Sequence, residues 1–300
     1  MIGRLMDYIE IKTKLTSISA FLMTVAFLFY QKQKISWKLT LIFFAAMFLF
    51  DLATTAINNY IDTKTNQVPL QMKRNTALMI ILILLAASTV LGIWLVYLTD
   101  LIVLLLGGFC FLCGILYTYG PVPISRQPLG EVFSGIFYGL LIPFILLYIN
   151  MPEDTYFTLN LSMKTISVNL KVLPLITVLI LSIVPASTTA NIMLANNICD
   201  LEHDIRVKRH TLPYYLGKKA IYLYAALFYA AYSAIILMVI LRILSPICLF
   251  TLLTVFPVQK NINRFLKLQD KKTTFITAIY NYMLIMGTLT LLIFLSGLIG

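Results

Sequence analysis

Two motifs rich in acids and amides are the residues of this sequence best suited to chemistry. The pentad Asn-Asn-x-x-Asp occupies 58–62 and recurs at 196–200. Four residues after each pentad comes another oxygen-bearing side chain, Asn66 in the first copy and Asp204 in the second. Each copy lies where a long apolar run gives way to charged residues. Carboxylates and amides are costly at a membrane edge, so we expect these groups to be functional.

The spacing of these oxygen atoms favours a hard divalent cation. Residues four apart share one face of a helix, so each motif forms a row. The rows are Asn58, Asp62 and Asn66, and Asn196, Asp200 and Asp204, with Asn197 beside the second. Magnesium ions are held by a few carboxylates together with water and substrate phosphate. The two rows therefore predict a Mg²⁺ site if they face each other, with Asp62, Asp200 and Asp204 as its catalytic carboxylates.

Basic residues lie beside both rows. They are Lys64, Lys73 and Arg74 after the first row, and Lys208 and Arg209 after the second. Acidic and basic groups together predict a metal-bridged diphosphate that is clamped by cations. Lys and Arg at the cytoplasmic ends of membrane helices also act as solvated topology signals, and this alternative stays open for each of them.

A turn-rich segment at 117–131 supplies further candidates. Its glycines and prolines predict a break between helices. Its polar and aromatic side chains include Tyr117, Tyr119, Ser125 and Arg126, which could form an aromatic wall and an anion clamp. An ordinary connector is the alternative interpretation.

The composition indicates that membrane helices position these residues. The chain has 300 residues, of which 60% are hydrophobic and 12% charged, and its mean hydropathy is +0.91. Soluble domains carry about 25% charged residues, so the chain is expected to be an integral membrane protein. A single domain over 1–300 is expected. The net charge of +11 is consistent with a membrane protein that carries its Lys and Arg residues in cytoplasmic loops. Because the sequence has no nucleic-acid-binding motif, we expect no nucleic-acid partner.

Runs of about 20 apolar residues can cross a bilayer as helices. Nine such spans are predicted around a central cavity that opens to the cytoplasm: 15–31, 38–59, 76–97, 100–119, 130–149, 172–196, 219–241, 244–260 and 275–298. Of the 23 Lys and Arg residues, 17 fall in cytoplasmic segments if the N-terminus is cytoplasmic. We therefore predict a multi-pass protein of the cell membrane with the N-terminus inside and the C-terminus outside.

The longest outer loop contains an alternating pattern. Apolar and polar residues alternate along 157–163 and again, after a short break, along 166–172. A period of two with a break predicts a β-hairpin at 156–172 on the outer side. An interfacial helix is the alternative.

The two motifs resemble those of the UbiA superfamily of intramembrane prenyltransferases. Members of that superfamily have nine transmembrane helices and Asp-rich motifs after the second and sixth helices. The segments 58–66 and 200–204 match these motifs in position. Within the superfamily, segments 10–17, 119–131 and 196–212 are most similar to the branch of 1,4-dihydroxy-2-naphthoate polyprenyltransferases of menaquinone synthesis.

The resemblance implies a reaction and its partners. The donor would be a polyprenyl diphosphate that leaves with the help of Mg²⁺, and the acceptor an aromatic acid, 1,4-dihydroxy-2-naphthoate, which loses CO₂. Tyr60, Tyr117 and Tyr119 would shelter the allylic cation. Arg126 would hold the carboxylate of the acceptor before it leaves.

Departures from the family pattern leave alternatives open. Asn59 and Asn66 stand where the first motif has carboxylates, so one Mg²⁺ ion or an altered substrate is an alternative. Another UbiA-type acceptor, such as 4-hydroxybenzoate, is a second alternative. A cation-coupled transporter is a third, because intramembrane acids also mark such carriers.

Overall fold

Helices make up most of the computed structural model, which describes residues 2–65, 69–70, 72–121, 123–161 and 164–299. The α-helices, in chain order, are α1 (Ile2–Tyr8), α2 (Leu15–Tyr30), α3 (Trp37–Thr65), α4 (Arg74–Leu98), α5 (Leu101–Leu116), α6 (Gly130–Ser134), α7 (Ile142–Tyr148), α8 (Val172–Cys199), α9 (Leu201–Arg206), α10 (Leu212–Leu216), α11 (Lys219–Ile240), α12 (Val255–Lys267) and α13 (Ile276–Ile299). Three 3-10 helices lie at Ile11–Lys14, Ile124–Arg126 and Pro246–Thr254, and a π-helix at Gly135–Leu141 joins α6 to α7.

Within the described residues, six helical stretches are long and apolar enough to cross a membrane. They are Trp37–Thr63, Arg74–Leu98, Gly130–Tyr148, Val172–Cys199, Lys219–Ile240 and Ile276–Ile299. The shorter apolar helices α2 and α5 fall on the first and fourth predicted spans. At the eighth predicted span, the Pro246–Thr254 3-10 helix continues into α12. The all-helical, multi-pass architecture is confirmed, whereas the number of nine spans stays a prediction.

The outward faces of the long helices are apolar. Leu82 and Val90 on α4 are exposed, as are Tyr222 and Ile240 on α11. Apolar side chains in such numbers on the surface of a helical bundle are suited to contact with lipid hydrocarbon.

Two buried clusters hold the helices together. The larger includes Tyr224 and Phe228 of α11 and Tyr282 of α13, all fully buried. The smaller joins α1, α3 and α4 through residues such as Tyr8 and Ile57. Because the smaller cluster packs one face of α3, the opposite face of that helix is left for the interior of the protein.

Two glycines bring the π-helix close to α8. A Cβ atom at Gly139 would lie 2.2 Å from the Ala186 Cα, and one at Gly135 would lie 3.1 Å from the Ala186 carbonyl oxygen. Small residues four apart allow membrane helices to approach at the level of their backbones. This contact fixes the π-helix against α8 and so sets the position of Tyr138, which lies within it.

The structure contains one hairpin in the loop before α8. Strand β1 (Phe157–Leu161) pairs antiparallel with β2 (Ile166–Leu170), with Phe157 opposite Leu170. The strands lie within the predicted range of 156–172. Their location on the outer side of the membrane stays a prediction.

Candidate active site

One face of α3 carries a row of polar side chains into the protein interior. Asp51, Thr55, Asn58 and Asp62 follow one another at intervals of three or four residues, so they share that face. The first three line a large cavity, and Asp62 lines a smaller one. The first motif therefore belongs to a longer polar stripe.

The smaller cavity brings the two motifs together. It has a volume of about 130 Å³ and is lined by Asp62, Ser125, Arg126, Asp200, His203, Asp204, Val207 and Arg209. Its walls come from the C-terminal end of α3, the turn-rich segment, and the region around α9. Carboxylates from two motifs that lie 138 residues apart thus share one polar cavity with two guanidinium groups.

A chain of hydrogen bonds positions Asp62. The Thr118 hydroxyl donates to Asn58 Oδ1 at 3.1 Å, and the Asn58 side chain donates to the Asp62 carboxylate. The guanidinium groups of Arg126 and Arg209 also interact electrostatically with Asp62. In this arrangement Asn58 orients the carboxylate, and its predicted role as a metal ligand stays a prediction.

Asp204 is the most buried carboxylate of the cavity, with 2% of its surface exposed. Its Oδ2 accepts a hydrogen bond from the Thr211 hydroxyl at 3.3 Å, and its Oδ1 lies 3.9 Å from Arg209 Nη1. Burial raises the pKa of the Asp204 carboxyl, the nearby Arg209 guanidinium opposes this effect, and the charge of Asp200 adds to it. A second positive charge beside Asp204 would therefore be favourable.

Asp200 is held by a lysine from another loop. Lys271, between α12 and α13, places its ammonium 2.5 Å from Asp200 Oδ2, and it also contacts Asn196 Oδ1. The ammonium bridges one carboxylate and one amide oxygen of the second motif. A cation thus already occupies the place that the motif predicts for a metal ion.

Arg209 connects the second motif to the turn-rich segment. Its Nε donates to the Ser125 carbonyl oxygen at 2.8 Å, and the neighbouring His210 amide donates to the Arg126 carbonyl at 3.2 Å. Arg209 lines both cavities. The polar cavity and the large cavity therefore meet at this side chain.

The large cavity has a volume of about 670 Å³ and is mostly apolar. Aromatic side chains form much of its wall: Phe50, Phe111, Phe133, Phe137, Tyr117 and Tyr138. The rings of Phe50 and Phe111 stack with their centroids 4.0 Å apart. A cavity of this size and lining suits a long apolar ligand, and its aromatic faces could stabilise a carbocation.

Two predicted residues, Tyr60 of α3 and Arg74 of α4, contact each other on the side of α3 opposite Asp62. Arg74 Nη1 donates to the Tyr60 carbonyl at 3.1 Å, and the guanidinium lies 4.9 Å from the Tyr60 ring centroid. Tyr60 packs against the smaller core cluster, because a residue two positions from Asp62 points to the opposite side of the helix. We therefore leave Tyr60 and Arg74 out of the site.

Other predicted residues also lie away from the cavities. Tyr119 is 64% exposed, and Lys73 and Lys208 are exposed. Asn197 is buried and donates to Glu131 Oε1 at 2.8 Å, so it faces α6. Asn66 and the side chain of Lys64 fall outside the part of the chain that the structure describes.

The donor set suits a magnesium ion that retains water and substrate ligands. Among the described residues, no group of three or more His, Cys, Asp or Glu side chains is close enough to hold an ion by itself. Magnesium is commonly bound by one or two carboxylates plus substrate phosphate, so a complete protein cage is not required. The Lys271 ammonium between Asp200 and Asn196 shows that these oxygen atoms can share a cation.

Sequence reasoning missed two contributors to the site. They are Lys271, one of many basic residues in the predicted cytoplasmic segments, and Thr118, which lies within the turn-rich segment. Both act on the motifs from loops that are distant in sequence, at 71 and 60 residues from their partners. The sequence feature that could have drawn attention to Lys271 is the pair of adjacent lysines at 271 and 272, in the last predicted cytoplasmic loop.

An apolar cavity joined to a polar one within a helical membrane bundle defines an intramembrane enzyme for amphipathic substrates. A sequence model of the UbiA prenyltransferase family matches residues 19–286. The chain therefore belongs to the UbiA prenyltransferase family and is a prenyltransferase, which excludes the transporter alternative.

The chain is similar to one curated relative and to several solved structures. It is 29% identical over 236 residues to the 1,4-dihydroxy-2-naphthoate octaprenyltransferase of Bacillus subtilis (strain 168), covering 74% of this chain and 69% of the relative. The apo UbiA homologue of Aeropyrum pernix K1 has a TM-score of 0.65 at 18% identity, covering 95% of this chain and 96% of that one. The Archaeoglobus fulgidus homologue bound to DMAPP and Mg²⁺ has a TM-score of 0.61 at 11% identity, covering 97% and 99%. At these identities the structural matches establish the fold.

Proposed function

We propose that this protein transfers a polyprenyl group from polyprenyl diphosphate to an aromatic acceptor in a reaction that depends on Mg²⁺. The acceptor we propose is 1,4-dihydroxy-2-naphthoate, which loses CO₂, and the pathway is menaquinone biosynthesis. The observation that carries the proposal is the shared cavity of Asp62, Asp200 and Asp204, which meets the large apolar cavity at Arg209.

The polar cavity would hold the diphosphate. Asp62, Asp200 and Asp204 would bind the magnesium ion, and Arg126 and Arg209 would share the remaining negative charge of the leaving group. When bound, Mg²⁺ neutralises part of the diphosphate charge and so favours its departure. Lys271 would exchange its contact with Asp200 for one with phosphate oxygen.

The large cavity would hold the prenyl chain. A chain that enters this cavity past Arg209 would have its first carbon near Tyr117, the one of the three predicted tyrosines that lines the cavity. The faces of Tyr117 and the neighbouring phenylalanines would stabilise positive charge that develops on this carbon. A bound prenyl chain would displace water from this cavity and so reduce its competition with the acceptor.

The choice of acceptor rests on the curated relative. The Bacillus subtilis protein is named a 1,4-dihydroxy-2-naphthoate octaprenyltransferase, and its similarity extends over most of both chains. The Archaeoglobus fulgidus homologue binds DMAPP and Mg²⁺, which supports a diphosphate donor and a magnesium ion here. The alternative acceptor, 4-hydroxybenzoate, is compared directly with 1,4-dihydroxy-2-naphthoate in the experiment below.

The test uses the full chain purified in detergent. It is supplied with Mg²⁺, prenyl diphosphates of several lengths and the two acceptors, and products are identified by mass spectrometry. We expect prenylated naphthoquinol lacking the carboxyl group and release of pyrophosphate, both abolished by EDTA. A preference for 4-hydroxybenzoate would contradict the acceptor. Full turnover in excess EDTA, or no transfer to either aromatic acid, would contradict the proposed function.

A further inference from the structure

A closed group of polar side chains lies inside the large apolar cavity. Lys14 Nζ lies 2.8 Å from Asp51 Oδ1 and also contacts the Thr55 hydroxyl. Ser17 donates to Asp51 Oδ2 and Tyr138 donates to Asp51 Oδ1, each at 2.7 Å. These five residues, which we call the Lys14–Asp51 cluster, all line the cavity.

This cluster is costly in its surroundings. Lys14 and Asp51 are 2% and 6% exposed, and an ion pair removed from water loses hydration that the attraction between its charges only partly offsets. An apolar prenyl chain needs no polar partner. The cluster therefore fits a second ligand of the same cavity, one that carries polar groups.

Two atoms of the cluster can still form hydrogen bonds with a ligand. Lys14 directs its ammonium to Asp51 and Thr55, and both Asp51 oxygens accept hydrogen bonds. Within the described residues, the Thr55 hydroxyl hydrogen has no acceptor and the Tyr138 oxygen has no donor. A hydroxyl can both donate and accept, so these two atoms offer one donor and one acceptor to a ligand.

The position along α3 suits a ligand that meets the donor's first carbon. Thr55 precedes Asp62 by seven residues and Asp51 precedes it by eleven, which corresponds to about 10 and 16 Å of helical rise. A diphosphate at Asp62 and Arg209 would direct its prenyl carbon toward this region. Tyr138 reaches it from the π-helix, a conformation that is often found at functional sites.

We propose that the Lys14–Asp51 cluster binds a ring hydroxyl group of the aromatic acceptor, through the Tyr138 oxygen and the Thr55 hydroxyl. This inference rests on the proposed prenyl transfer and adds the place where the second substrate is held. The cluster is neutral overall because Lys14 and Asp51 compensate each other. It therefore favours a hydroxyl over a carboxylate, which would add an uncompensated charge.

The test measures equilibrium binding separately from turnover. Dissociation constants for 1,4-dihydroxy-2-naphthoate and its two monomethyl ethers are measured by titration with wild type, Tyr138→Phe and Thr55→Val, in detergent. Each variant should weaken binding of the dihydroxy ligand by about five- to tenfold, the loss of one hydrogen bond. The methyl ether that blocks the ring hydroxyl next to Tyr138 should bind wild type about as weakly as the dihydroxy ligand binds Tyr138→Phe. Tyr138→Phe should not weaken binding of this ether further, because the hydrogen bond between Tyr138 and the ring hydroxyl is already lost.

Kinetics and a matched control separate the outcomes. Tyr232, whose hydroxyl is 2.7 Å from the Thr254 hydroxyl and which lines neither cavity, gives the control variant Tyr232→Phe, which should bind the acceptor like wild type. In turnover, the acceptor KM should rise in Tyr138→Phe while the prenyl diphosphate KM changes less than twofold. The inference is overturned if hydroxyl methylation and Tyr138→Phe have additive effects, or if both KM values rise together with a loss of thermal stability. Failure of wild type to transfer prenyl groups would overturn the proposed function alone.

Discussion

Three carboxylates contribute differently to the polar cavity because their partners differ. Asp62 is oriented by Asn58, Asp204 is buried beside Arg209, and Asp200 is partly exposed and paired with Lys271. Removal of any of the three should affect chemistry more than stability, since none belongs to the apolar core.

The Asp200→Ala variant should lower prenyl transfer by at least about 10²-fold, since an electrostatic contact to the leaving group is lost. The matched control is Glu202→Ala, an exposed acid two residues further along, in α9. Initial rates of pyrophosphate release are compared at saturating substrate. Near-normal turnover of Asp200→Ala, or an equal loss in both variants, would count against the assignment of this carboxylate.

The Lys271→Met variant should reduce the Mg²⁺ concentration needed for half-maximal activity. The Lys271 ammonium must leave Asp200 before a metal ion can bind there. The side chains of Lys271 and Asp200 are 42% and 32% exposed. Partly exposed pairs are worth up to about 1 kcal/mol, so the shift should be at most about fivefold. Lys272→Met is the control, as its side chain is exposed at the next position. A higher Mg²⁺ requirement in Lys271→Met would show that Lys271 assists the metal.

The Lys14→Met variant should be strongly destabilised. It leaves the Asp51 carboxylate buried without its cation, which costs about 3–5 kcal/mol in comparable sites. The double variant Lys14→Met/Asp51→Asn removes both charges and should regain much of the lost thermal stability in detergent. Equal melting temperatures for the wild type and Lys14→Met would contradict the structural account of this pair.

At the scale of helices, the backbone contact between the π-helix and α8 fixes where the acceptor-side residues lie. The Gly139→Ala variant places a methyl group against the Ala186 backbone, where no flexible side chain can yield. We expect overpacking to cost about 1–3 kcal/mol and to lower the melting temperature. Gly287→Ala on α13, where nothing lies within 4 Å of the added Cβ, is the control and should be neutral. An unchanged melting temperature of Gly139→Ala would contradict the close packing.

The sequence predicted helices well where hydropathy alone decides them. Helices α3, α4, α8, α11 and α13 lie where long apolar runs predicted them, and the two motifs meet as expected from their positions near the C-terminal ends of α3 and α8. The π-helix was not predicted, because its sequence has the same apolar period as an α-helix and only packing against α8 distinguishes them.

Partners that are distant in sequence account for what could not be predicted. Asp51 lies seven residues before Asn58, but nothing in the sequence pairs it with Lys14, which is 37 residues away. The direction of Tyr60 follows from helical geometry once α3 is known to extend to residue 65. Aromatic character alone does not indicate which face of the helix Tyr60 occupies.

At the scale of the whole molecule, both motifs and the Lys271 loop gather at one end of the bundle. The hairpin lies in the connection between α7 and α8. It therefore precedes the N-terminal end of α8, whereas the second motif lies at the C-terminal end of that helix. The distribution of Lys and Arg predicts that the motif end faces the cytoplasm and the hairpin faces outward.

Labelling of single cysteines tests this orientation. In a chain whose four natural cysteines are replaced by serine, Asp154→Cys and Lys272→Cys introduce exposed thiols at the two ends of the bundle. A membrane-impermeant maleimide added to intact cells should label position 154 and not position 272. Permeabilised cells should show labelling at both. The reverse pattern in intact cells would show that the predicted orientation is wrong.

The apolar outer faces of α4 and α11 have a consequence for how rates depend on conditions. An enzyme surrounded by hydrocarbon shares that phase with its long-tailed donor, so the two meet by lateral diffusion. The effective donor concentration is then its mole fraction in the lipid or micelle. Adding empty micelles at a constant bulk amount of donor should slow the reaction by surface dilution, even though no inhibitor is present.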